Sequence, residues 1–527
     1  MSDSGSTNRN KKYRRRIFLN RLSVLLLLAL TVALVIFAAN GIKKHKINKN
    51  NTLVKVTDEP GALPTGSMTD VPLVTPEAVT PDQSQPVANT DAVQTPVDRT
   101  DVPSTDNPTE TETLSDPPAT PTPPAKTQAP AATPTQHATN PPSKTQPPSG
   151  DYTEITVVNA GDIMFHMAQV RGAYNDATGE YDFWPTYQYV APYVQAADLA
   201  VVNFESTLHD TDYSGYPGFN SPVSSLQAIK DAGFDVLLYA NNHCFDRGAE
   251  GVKRTLAHFR EYGFRYVGAT DDPDNAPDKT LVVDVGGIRI GMINYSDSVT
   301  DMNGSTYTLN DNPVSNKDWR MLNIYVTGRE SEFLYSRVEE DIRKLREANA
   351  DIIIAYMHWG LEYQLQPNSS QKKCAQKLCD LGVDCIIGGH PHVVQPMDVL
   401  TSSDGTRKTV CFYSLGNYVS NQNRKTLKSY DVREYTENGL MVKLFIRKYS
   451  NGYTEVSRLE YVPTWVHRYQ KSGDKYAHEI IPLPVPDSDA AAYGLTNSSF
   501  GIADSKESFK RTDKLFRDRV EAFNNGG

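Results

Sequence analysis

The sequence predicts an α/β fold in which a buried, layered sheet carries helices on its faces. The prediction rests on apolar runs rich in β-branched residues that alternate with helical stretches from Tyr152 onward. Each run is apolar over most of its length, whereas a strand with one solvated face would alternate with polar residues. Helices on both faces of a sheet bury its strands in this way. The five clearest runs are residues 155–162, 198–205, 235–243, 351–358 and 384–392.

Helices and further strands are predicted between and after these runs. Amphipathic stretches predict helices over residues 224–232, 249–262, 331–348, 369–381 and 506–523. Shorter β-branched runs predict strands over residues 281–285, 289–295 and 409–414. A closing hairpin is predicted over residues 440–447 and 454–462.

All five long runs end in side chains that bind metals or transfer protons. Ligands of α/β sheets bind at the carboxyl ends of the strands, so these side chains should converge on one edge. They include carboxylates, carboxamides and imidazoles, a mixture of nitrogen and oxygen donors that suits Mn, Fe or Zn. The sequence therefore predicts a hydrolytic site with one or two divalent metal ions. The residues concerned are Asp162, Asn203, Glu205, Asn242, His243, His358, His390 and His392.

Individual roles follow from residue type and position. Two dications about 3.5–4 Å apart repel each other unless a carboxylate bridges them, and Glu205 is the candidate for that bridge. His243 is the candidate proton donor, with Asp246 three residues further on. Each site residue has a simpler alternative when it is considered alone. Asp246 fits a helix N-cap, and His358 fits a core histidine beside Trp359.

A membrane anchor is predicted near the N-terminus. Residues 22–39 carry no charge and are long enough to span a bilayer as a helix. A cleaved signal peptide is the alternative, but lysines follow the apolar stretch where a small-residue cleavage site would be expected. Seven basic residues precede the stretch, which favours a cytoplasmic segment 1–21 and an extracellular main body. The predicted location is therefore the cell membrane, with a single pass.

Residues 40–151 are predicted to form a disordered linker. Of the 34 prolines in the chain, 20 lie within residues 50–150, among Thr, Ser, Asp and Gln. Such a segment cannot bury enough apolar surface to offset the entropy of ordering it. As a flexible coil it would reach roughly 55 Å, enough to hold a domain away from a membrane. A spacer without any specific reach fits the composition equally well.

Charge and cysteine content exclude other classes. The formal net charge is −10, and the basic residues of the anchor region are better explained by lipid headgroups than by nucleic acid. The cysteines number five and lie on predicted strands and helices, which argues against a disulfide framework. Their spacing fits no zinc knuckle, so buried apolar roles are expected.

Taken in order, the motifs resemble the CapA family of bacterial capsule or poly-γ-glutamate synthesis proteins, which are related to calcineurin-like metallophosphoesterases. The resemblance covers about residues 154–420, roughly half of the chain. The motifs are highly specific as an ordered set, although most are weak individually. They are Gly161-Asp162-Ile163-Met164, Asn203-Phe204-Glu205, Asn241-Asn242-His243 with Asp246 and Gly248, His358-Trp359-Gly360 with Glu362-Tyr363, Gly389-His390-Pro391-His392 and Tyr413-Ser414-Leu415-Gly416-Asn417-Tyr418.

The resemblance implies a metallophosphoesterase-like α/β/β/α sandwich over residues 152–420, with residues 421–527 as a C-terminal hairpin and helix packed on it. It implies that one metal is bound by Asp162, Glu205 and His392. It implies a second metal bound by Glu205, Asn242, His358 and His390, with His243 near the leaving group. Met164 stands where the phosphoesterase pattern has a histidine, and His166 could replace that ligand only if the turn bends back. The first metal position is therefore predicted to be the weaker one.

The functional expectation is a membrane-anchored extracellular protein of capsule or poly-γ-glutamate biosynthesis or export. As an enzyme it would be a metal-dependent hydrolase of a surface polymer, cleaving an amide or phosphoester bond. The alternative is a non-catalytic accessory that binds the polymer beside a membrane synthase. The expected partners are an anionic polymer such as poly-γ-glutamate, the membrane and capsule synthase subunits, without nucleic acid. A wall-anchored adhesion module is a further alternative, but it leaves the histidines unexplained.

Overall fold

The computed structural model describes residues 150–275, 277–496 and 501–526. The strands of these residues follow in chain order: β1 (Tyr152–Ile163), β2 (Tyr174–Asn175), β3 (Glu180–Tyr181), β4 (Leu199–Phe204), β5 (Thr207–His209), β6 (Asn220–Pro222), β7 (Val236–Leu238), β8 (Arg265–Val267), β9 (Leu281–Val285), β10 (Ile288–Asp301), β11 (Tyr307–Leu309), β12 (Asn312–Pro313), β13 (Ile324–Val326), β14 (Ile352–His358), β15 (Cys385–Gly389), β16 (Val394–Thr401), β17 (Lys408–Leu415), β18 (Asn417–Val419), β19 (Asn438–Tyr449), β20 (Thr454–Ser472) and β21 (Lys475–Pro482).

The helices alternate with these strands, as the sequence predicts for an α/β fold. They are α1 (Met167–Ala173), α2 (Trp184–Tyr187), α3 (Ala191–Gln195), α4 (Ser225–Asp231), α5 (Gly248–Glu261), α6 (Asn316–Trp319), α7 (Glu330–Phe333), α8 (Tyr335–Glu347), α9 (Ser369–Asp380) and α10 (Ile502–Asn524). The single helix predicted over residues 331–348 is divided into α7 and α8 at Leu334. Leu334 is fully buried and has a φ of −107°, well away from the usual helical value.

Two large sheets contain most of the strands. The first has eight strands in the order β21-β20-β19-β1-β4-β7-β8, with β18 also beside β1. The second has nine strands in the order β12-β11-β10-β14-β15-β17-β16, with β9 and β13 also beside β10. The neighbours β1, β4 and β7 run parallel, as do β10, β14 and β15. The carboxyl ends of each parallel group therefore lie at one edge of its sheet.

The two sheets pack face to face, and helices cover their outer faces. One apolar cluster joins Val157 and Val201 of the first sheet to Ile290 and Ile354 of the second. A second cluster places α1–α5 on the outer face of the first sheet, and a third places α8 and α9 on the outer face of the second. Strand β14 shows the consequence, because its alternate residues enter the cluster between the sheets and the cluster beneath α8 and α9. All seven residues of β14 are buried, which explains the uninterrupted apolar run.

An aspartate precedes four of the parallel strands and hydrogen-bonds the neighbouring strand. Asp198 accepts from Thr156 N at 2.7 Å, and Asp351 accepts from Arg289 N at 2.8 Å. The carboxylates of Asp235 and Asp384 do the same with backbone N–H groups of β4 and β14. These residues cap the ends of the strands that lie away from the polar edge.

A register irregularity turns Asp162 toward the second sheet. Val158 and Ala160 face the helices on the outer side of the first sheet, and strict alternation would place Asp162 there too. The pairing of β1 with β4 shifts between Ala160 and Asp162, and this reverses the direction of the side chain. Glycine is required at position 161, because a Cβ atom there would lie 2.0 Å from the carbonyl oxygen of Gly416.

The C-terminal segment contributes to the first sheet. The predicted hairpin forms as β19 and β20, and β19 pairs directly with β1. Helix α10 spans a longer range than predicted and inserts Phe516 and Val520 into the cluster between the sheets. The domain boundaries proposed from the sequence remain predictions.

Two other predictions concern the anchor and the cysteines. Within the described part of the chain, no helix is long and apolar enough to cross a membrane. The predicted transmembrane helix over residues 22–39, and residues 40–149 of the linker predicted over residues 40–151, lie outside the described residues. All five cysteines are buried and free, as expected for residues with an apolar role.

Candidate metal centre

The structure brings together all eight side chains that the sequence predicts at the strand ends. They come from both sheets, and not from one sheet edge as the run pattern alone suggests. Asp162 lies in β1, Glu205 follows β4, and Asn242 follows β7 of the first sheet. His358 ends β14, and His390 follows β15 of the second sheet. The site therefore lies where the carboxyl edges of the two packed sheets meet.

Three donor atoms lie close to His358 Nε2 in one part of the site. His358 Nε2 lies 2.8 Å from Asn242 Oδ1, 3.1 Å from His390 Nδ1 and 3.5 Å from Glu205 Oε1. Ligand atoms bound tetrahedrally at about 2.1 Å from an ion lie roughly 3.4 Å apart. The three distances from His358 Nε2 are thus close to the spacing of a metal coordination sphere, and Glu205, His358 and His390 form one compact ligand group.

A second compact group shares Glu205 with the first. It consists of Asp162, Glu205 and His392, all fully buried. His392 Nε2 lies 3.8 Å from Glu205 Oε1, and His392 Nδ1 lies 3.1 Å from Asn417 Oδ1. A hydrogen bond donated by Nδ1 to Asn417 leaves Nε2 as the nitrogen that faces Glu205, from which a metal ion would displace a proton. Glu205 thus belongs to both groups, as expected for a bridging ligand.

Glu205 is the residue that most clearly fits a bound cation. Its side chain is completely buried, and neither carboxylate oxygen has a hydrogen-bond partner among the described residues. Buried carboxylates without partners carry a large desolvation cost, so proteins pair them with hydrogen bonds or metals. The surrounding donors are carboxylate, amide and imidazole, which suit a divalent transition metal. The residues present therefore fit one or two metal ions.

Burial and mutual charge shift the pKa values in this cluster. Burial raises the pKa of Glu205 to about 8. Burial also opposes the ionised form of Asp162, but the imidazoles of His392 and His358 outweigh it and lower that pKa to about 2. Burial lowers the pKa of His358 to about 3 and that of His390 well below its usual value. His358 and His390 are therefore neutral, the form in which imidazole binds metals.

The backbone of the turn that carries His390 and His392 adopts an uncommon conformation. His390 and His392 have φ values of +93° and +56°, in a region that side chains other than glycine rarely adopt. Gly389 precedes them, and a Cβ atom there would lie 2.6 Å from Asp162 Oδ1. His390 N donates to Asp162 Oδ2 at 3.0 Å, which ties the turn to the first sheet. Strain of this kind costs of order 1–3 kcal/mol and is typical of functional sites.

The predicted proton donor has a defined orientation. His243 Nδ1 lies 2.8 Å from Asp246 Oδ2, and both side chains are buried. Asp246 Oδ2 also accepts from Phe219 N at 2.7 Å, and Asp246 Oδ1 accepts from Asn310 Nδ2 at 2.6 Å. Asp246 therefore holds His243 through Nδ1 and leaves Nε2 as the nitrogen that can transfer a proton. It does not cap α5, whose N-cap residue is Arg247.

Buried asparagines support the ligands, and the sequence gives little sign of their roles. Asn203 Nδ2 donates to Asp162 Oδ1 at 2.8 Å, and Asn241 Nδ2 donates to Asn203 Oδ1 at 3.1 Å. Asn294 belongs to the other sheet and accepts from Tyr239 N and Ala240 N at 3.0 and 2.7 Å. Neither Asn294 nor Asn310 is predicted from the sequence, because each contacts residues more than 50 positions away.

His166 is not part of either ligand group in the described residues. It precedes α1, and its Nδ1 accepts from Asn421 N at 3.4 Å. Met164 is buried at the position where the phosphoesterase pattern has histidine. The group formed by Asp162, Glu205 and His392 thus has one ligand fewer than the other group, which also contains Asn242.

Asp297, beside the site, provides a test by pH. Burial raises its pKa to about 7, although it accepts a hydrogen bond from Gly360 N at 3.1 Å. Because this value lies above the ordinary 3.8, protonation stabilises the folded state fully below pH 3.8, and that stabilisation is lost as the pH rises through 7. We expect Asp297→Asn to gain about 2.6 kcal/mol relative to the native chain between pH 5 and pH 8, at ~1.4 kcal/mol per pKa unit over the two units up to pH 7. Urea unfolding of the metal-free proteins at both pH values measures the difference in free energy of unfolding between the variant and the native chain. The same difference at pH 5 and at pH 8 would contradict the prediction.

Comparison with known proteins identifies a family. The sequence profile described as "Bacterial capsule synthesis protein PGA_cap" matches residues 156–422. The protein named PGA biosynthesis protein CapA, from Bacillus subtilis (strain 168), is 29% identical over 305 residues, which cover 57% of this chain and 67% of that protein. The protein named Capsule biosynthesis protein CapA, from Bacillus anthracis, is 29% identical over 278 residues, which cover 51% of this chain and 60% of that protein.

Solved structures show a weaker likeness. A hypothetical protein from Thermus thermophilus aligns with a TM-score of 0.32 and 14% identity, covering 63% of this chain and 100% of that chain. The profile match, in contrast, includes every predicted metal ligand from Asp162 to His392.

Proposed function

Because the chain belongs to the PGA_cap family of bacterial capsule synthesis proteins, we propose that it is a metal-dependent hydrolase acting on a polymer of the cell surface. The proposed substrate is an anionic polymer of the poly-γ-glutamate kind, cleaved at an amide or phosphoester bond. Two of the relatives carry names that refer to PGA or capsule biosynthesis. The proposed place of action is polymer synthesis or export, beside capsule synthase subunits.

The observation that supports this proposal most is the buried carboxylate shared by two ligand groups. Glu205 has no hydrogen-bond partner among the described residues, and it stands between His358 on one side and His392 on the other. A structural role would satisfy this carboxylate with protein donors, as a buried ion pair does. A pair of metal ions satisfies it, and the neutral imidazole of His358 has a lone pair to offer the same ion. We propose Mn, Fe or Zn as the bound ions.

The residues of the chain supply positioning and proton transfer. Metal ions held by the two groups would supply Lewis-acid chemistry and activation of water. His243 would give a proton to the leaving group through Nε2, because Asp246 occupies Nδ1. Asp162 orients His390 by accepting a hydrogen bond from the backbone N–H of His390. Asn417 orients His392 through the contact between its Oδ1 and His392 Nδ1. The fixed orientation of these groups lowers the cost of arranging the reaction.

We propose that the protein is anchored in the cell membrane and acts outside it. The apolar residues 22–39 would form the single membrane-spanning helix, with residues 1–21 in the cytoplasm. The proline-rich residues 40–151 would then separate the hydrolytic domain from the bilayer. This arrangement would bring the metal centre to a polymer that emerges from a membrane synthase.

Metal analysis and hydrolysis assays test the function. The full-length chain, purified in detergent, should contain one or two equivalents of a transition metal by mass spectrometry. It should cleave a poly-γ-glutamate or phosphoester substrate, and His243→Gln should lower the rate at least 100-fold while the metal content is unchanged. A conservative surface variant, Lys344→Gln, serves as the control. A chain without bound metal and without activity on either substrate would refute the proposal.

One outcome of the same experiment would favour a second function. A chain that binds metal and polymer but cleaves neither substrate would be a non-catalytic accessory of the synthase. The smaller ligand group, with Met164 where a further histidine would be expected, is the observation that favours this alternative. Production of polymer in cells carrying Glu205→Ala with His390→Ala would support it as well.

A further inference from the structure

Glu362 lies over the candidate metal centre on its solvent side. Its Oε1 atom is 3.9 Å from His392 Nε2, and 40% of its side chain is exposed. It is also close enough to act electrostatically on Glu205, His358 and His390. The other carboxylates of the centre, Asp162 and Glu205, are completely buried. We propose that Glu362 is a third carboxylate ligand of the metal centre, held on the face that is open to solvent; this inference rests on the proposed function.

The backbone around Glu362 is built to hold it there. Tyr363 has a φ of +64°, and Gly360 has a φ of +94°. The first of these costs about 1 kcal/mol or more, because tyrosine has a Cβ atom. Three hydrogen bonds offset this cost by pinning the loop. Trp359 N donates to Gly389 O at 3.1 Å, Gly360 N donates to Asp297 Oδ2 at 3.1 Å, and Tyr363 N donates to Pro391 O at 2.8 Å.

These bonds fix Glu362 relative to the histidine ligands. Gly389 and Pro391 flank His390 in the turn that follows β15, so the loop of Glu362 and the turn of His390 and His392 form one unit. A carboxylate needed only for solubility would require no such attachment. The strained loop therefore supports a role for Glu362 at the site itself.

The charge balance of the metal centre also supports Glu362 as a ligand. Asp162 and Glu205 supply two negative charges, whereas two divalent ions would bring four positive ones. A third carboxylate reduces this excess and strengthens binding of the second ion through Coulomb attraction. Since Asp162, Glu205 and His392 form the smaller ligand group, the ion held there would gain most from Glu362. Its position at the solvent side also leaves it free to give way when a substrate oxygen binds.

Metal titration of the full-length chain tests the proposal. Calorimetry with Mn²⁺ on the metal-free protein should show two binding events for the native chain. Glu362→Gln keeps the size of the side chain and removes its charge, and it should weaken one of the two events at least tenfold. Glu362→Asp should restore part of the loss. The control is Leu361→Gln, which alters the exposed neighbouring side chain without changing charge and should bind both ions as the native chain does.

Each result has a definite meaning. Electron paramagnetic resonance of bound Mn²⁺ should show a changed ligand environment in Glu362→Gln and an unchanged one in Leu361→Gln. If Glu362→Gln binds both ions with native affinity and spectrum, Glu362 is no ligand, while the proposed hydrolase function is unaffected. If the native chain binds no ion, both proposals are refuted. Equal loss in Leu361→Gln would show that the loop, and not the carboxylate, matters.

Discussion

Replacing Glu205 with glutamine should abolish binding of at least one metal ion, weaken the other at least 100-fold and make the metal-free protein more stable. The two effects have one cause. Glu205 is completely buried without a hydrogen-bond partner among the described residues, and burial raises its pKa to about 8. In the metal-free protein at pH 8 its charge is therefore costly, and a neutral amide of the same size removes this cost. We expect a gain of about 1–2 kcal/mol in the free energy of unfolding.

With metal present, Glu205→Gln should lower the free energy of unfolding and no longer raise it. A ligand at 100 times its dissociation constant stabilises a folded protein by about 2.7 kcal/mol, and Glu205→Gln should lose most of this stabilisation. Urea unfolding with added Mn²⁺ and with a chelator measures both effects. For the native chain, the unfolding curves with Mn²⁺ and with chelator should have clearly different midpoints. For Glu205→Gln the two midpoints should nearly coincide. Without metal, the variant should unfold at a higher urea concentration than the native chain.

Glu437→Gln provides the matched control for this experiment. Glu437 is equally buried, but Arg424 Nη2 and Nε donate to it at 2.6 and 2.9 Å. Removing its charge breaks a satisfied ion pair, which should destabilise the protein by about 3 kcal/mol without changing metal affinity. A metal-free Glu205→Gln protein that is less stable than the native chain would show that Glu205 has a partner other than metal.

Replacing Asn294 with alanine should destabilise the protein by about 4 kcal/mol and weaken metal binding at least tenfold. Asn294 is buried, and Oδ1 accepts from Tyr239 N and Ala240 N, while Nδ2 donates to Tyr356 O at 3.2 Å. Alanine would leave these buried groups without that partner, at about 1–3 kcal/mol for each unsatisfied group. Asn242 lies two residues after Ala240, so the loss should also move a metal ligand.

Asn159→Ala is the control that separates the loss of stability from the loss of metal affinity. Asn159 is also buried and joins the two sheets, because its Oδ1 accepts from Tyr356 Oη at 2.9 Å. Its other hydrogen bond is donated to Val157 O in its own strand, away from the loop that carries Asn242. Denaturant unfolding should show destabilisation in both variants, and calorimetry should show weaker metal binding only in Asn294→Ala. If Asn294→Ala and Asn159→Ala bind metal with equal affinity, Asn294 does not help to position the metal ligands.

Many elements of this protein could be predicted from sequence because they depend on local composition. The strand β14 is buried on both faces, so its sequence had to be apolar throughout, and its end at His358 is equally visible. The metal-binding residue types at the strand ends are visible for the same reason, because each directly follows an apolar run, although the structure divides them between the edges of two sheets. Only the structure shows that the aspartates before the strands accept hydrogen bonds from N–H groups of adjacent strands.

The remaining features depend on contacts between distant parts of the chain. His358 meets Asn242 across 116 residues, and these two ligands come from different sheets. No periodicity within a strand specifies how two sheets are oriented, because that is decided by packing of their shared apolar faces. The register shift before Asp162 also depends on a distant contact. Only the close approach of Gly416 shows why residue 161 must be glycine.

The sequence by itself determined which residues could bind metal and on which strands they lie, because residue type and strand composition are local properties. The tertiary structure decided that Glu205 is shared by two ligand groups and has no other partner among the described residues, that Asn417 and Asp246 orient the imidazoles, and that Glu362 faces the centre. These are distances between side chains of different elements. They exist only after burial of the apolar strands has brought the two polar edges together.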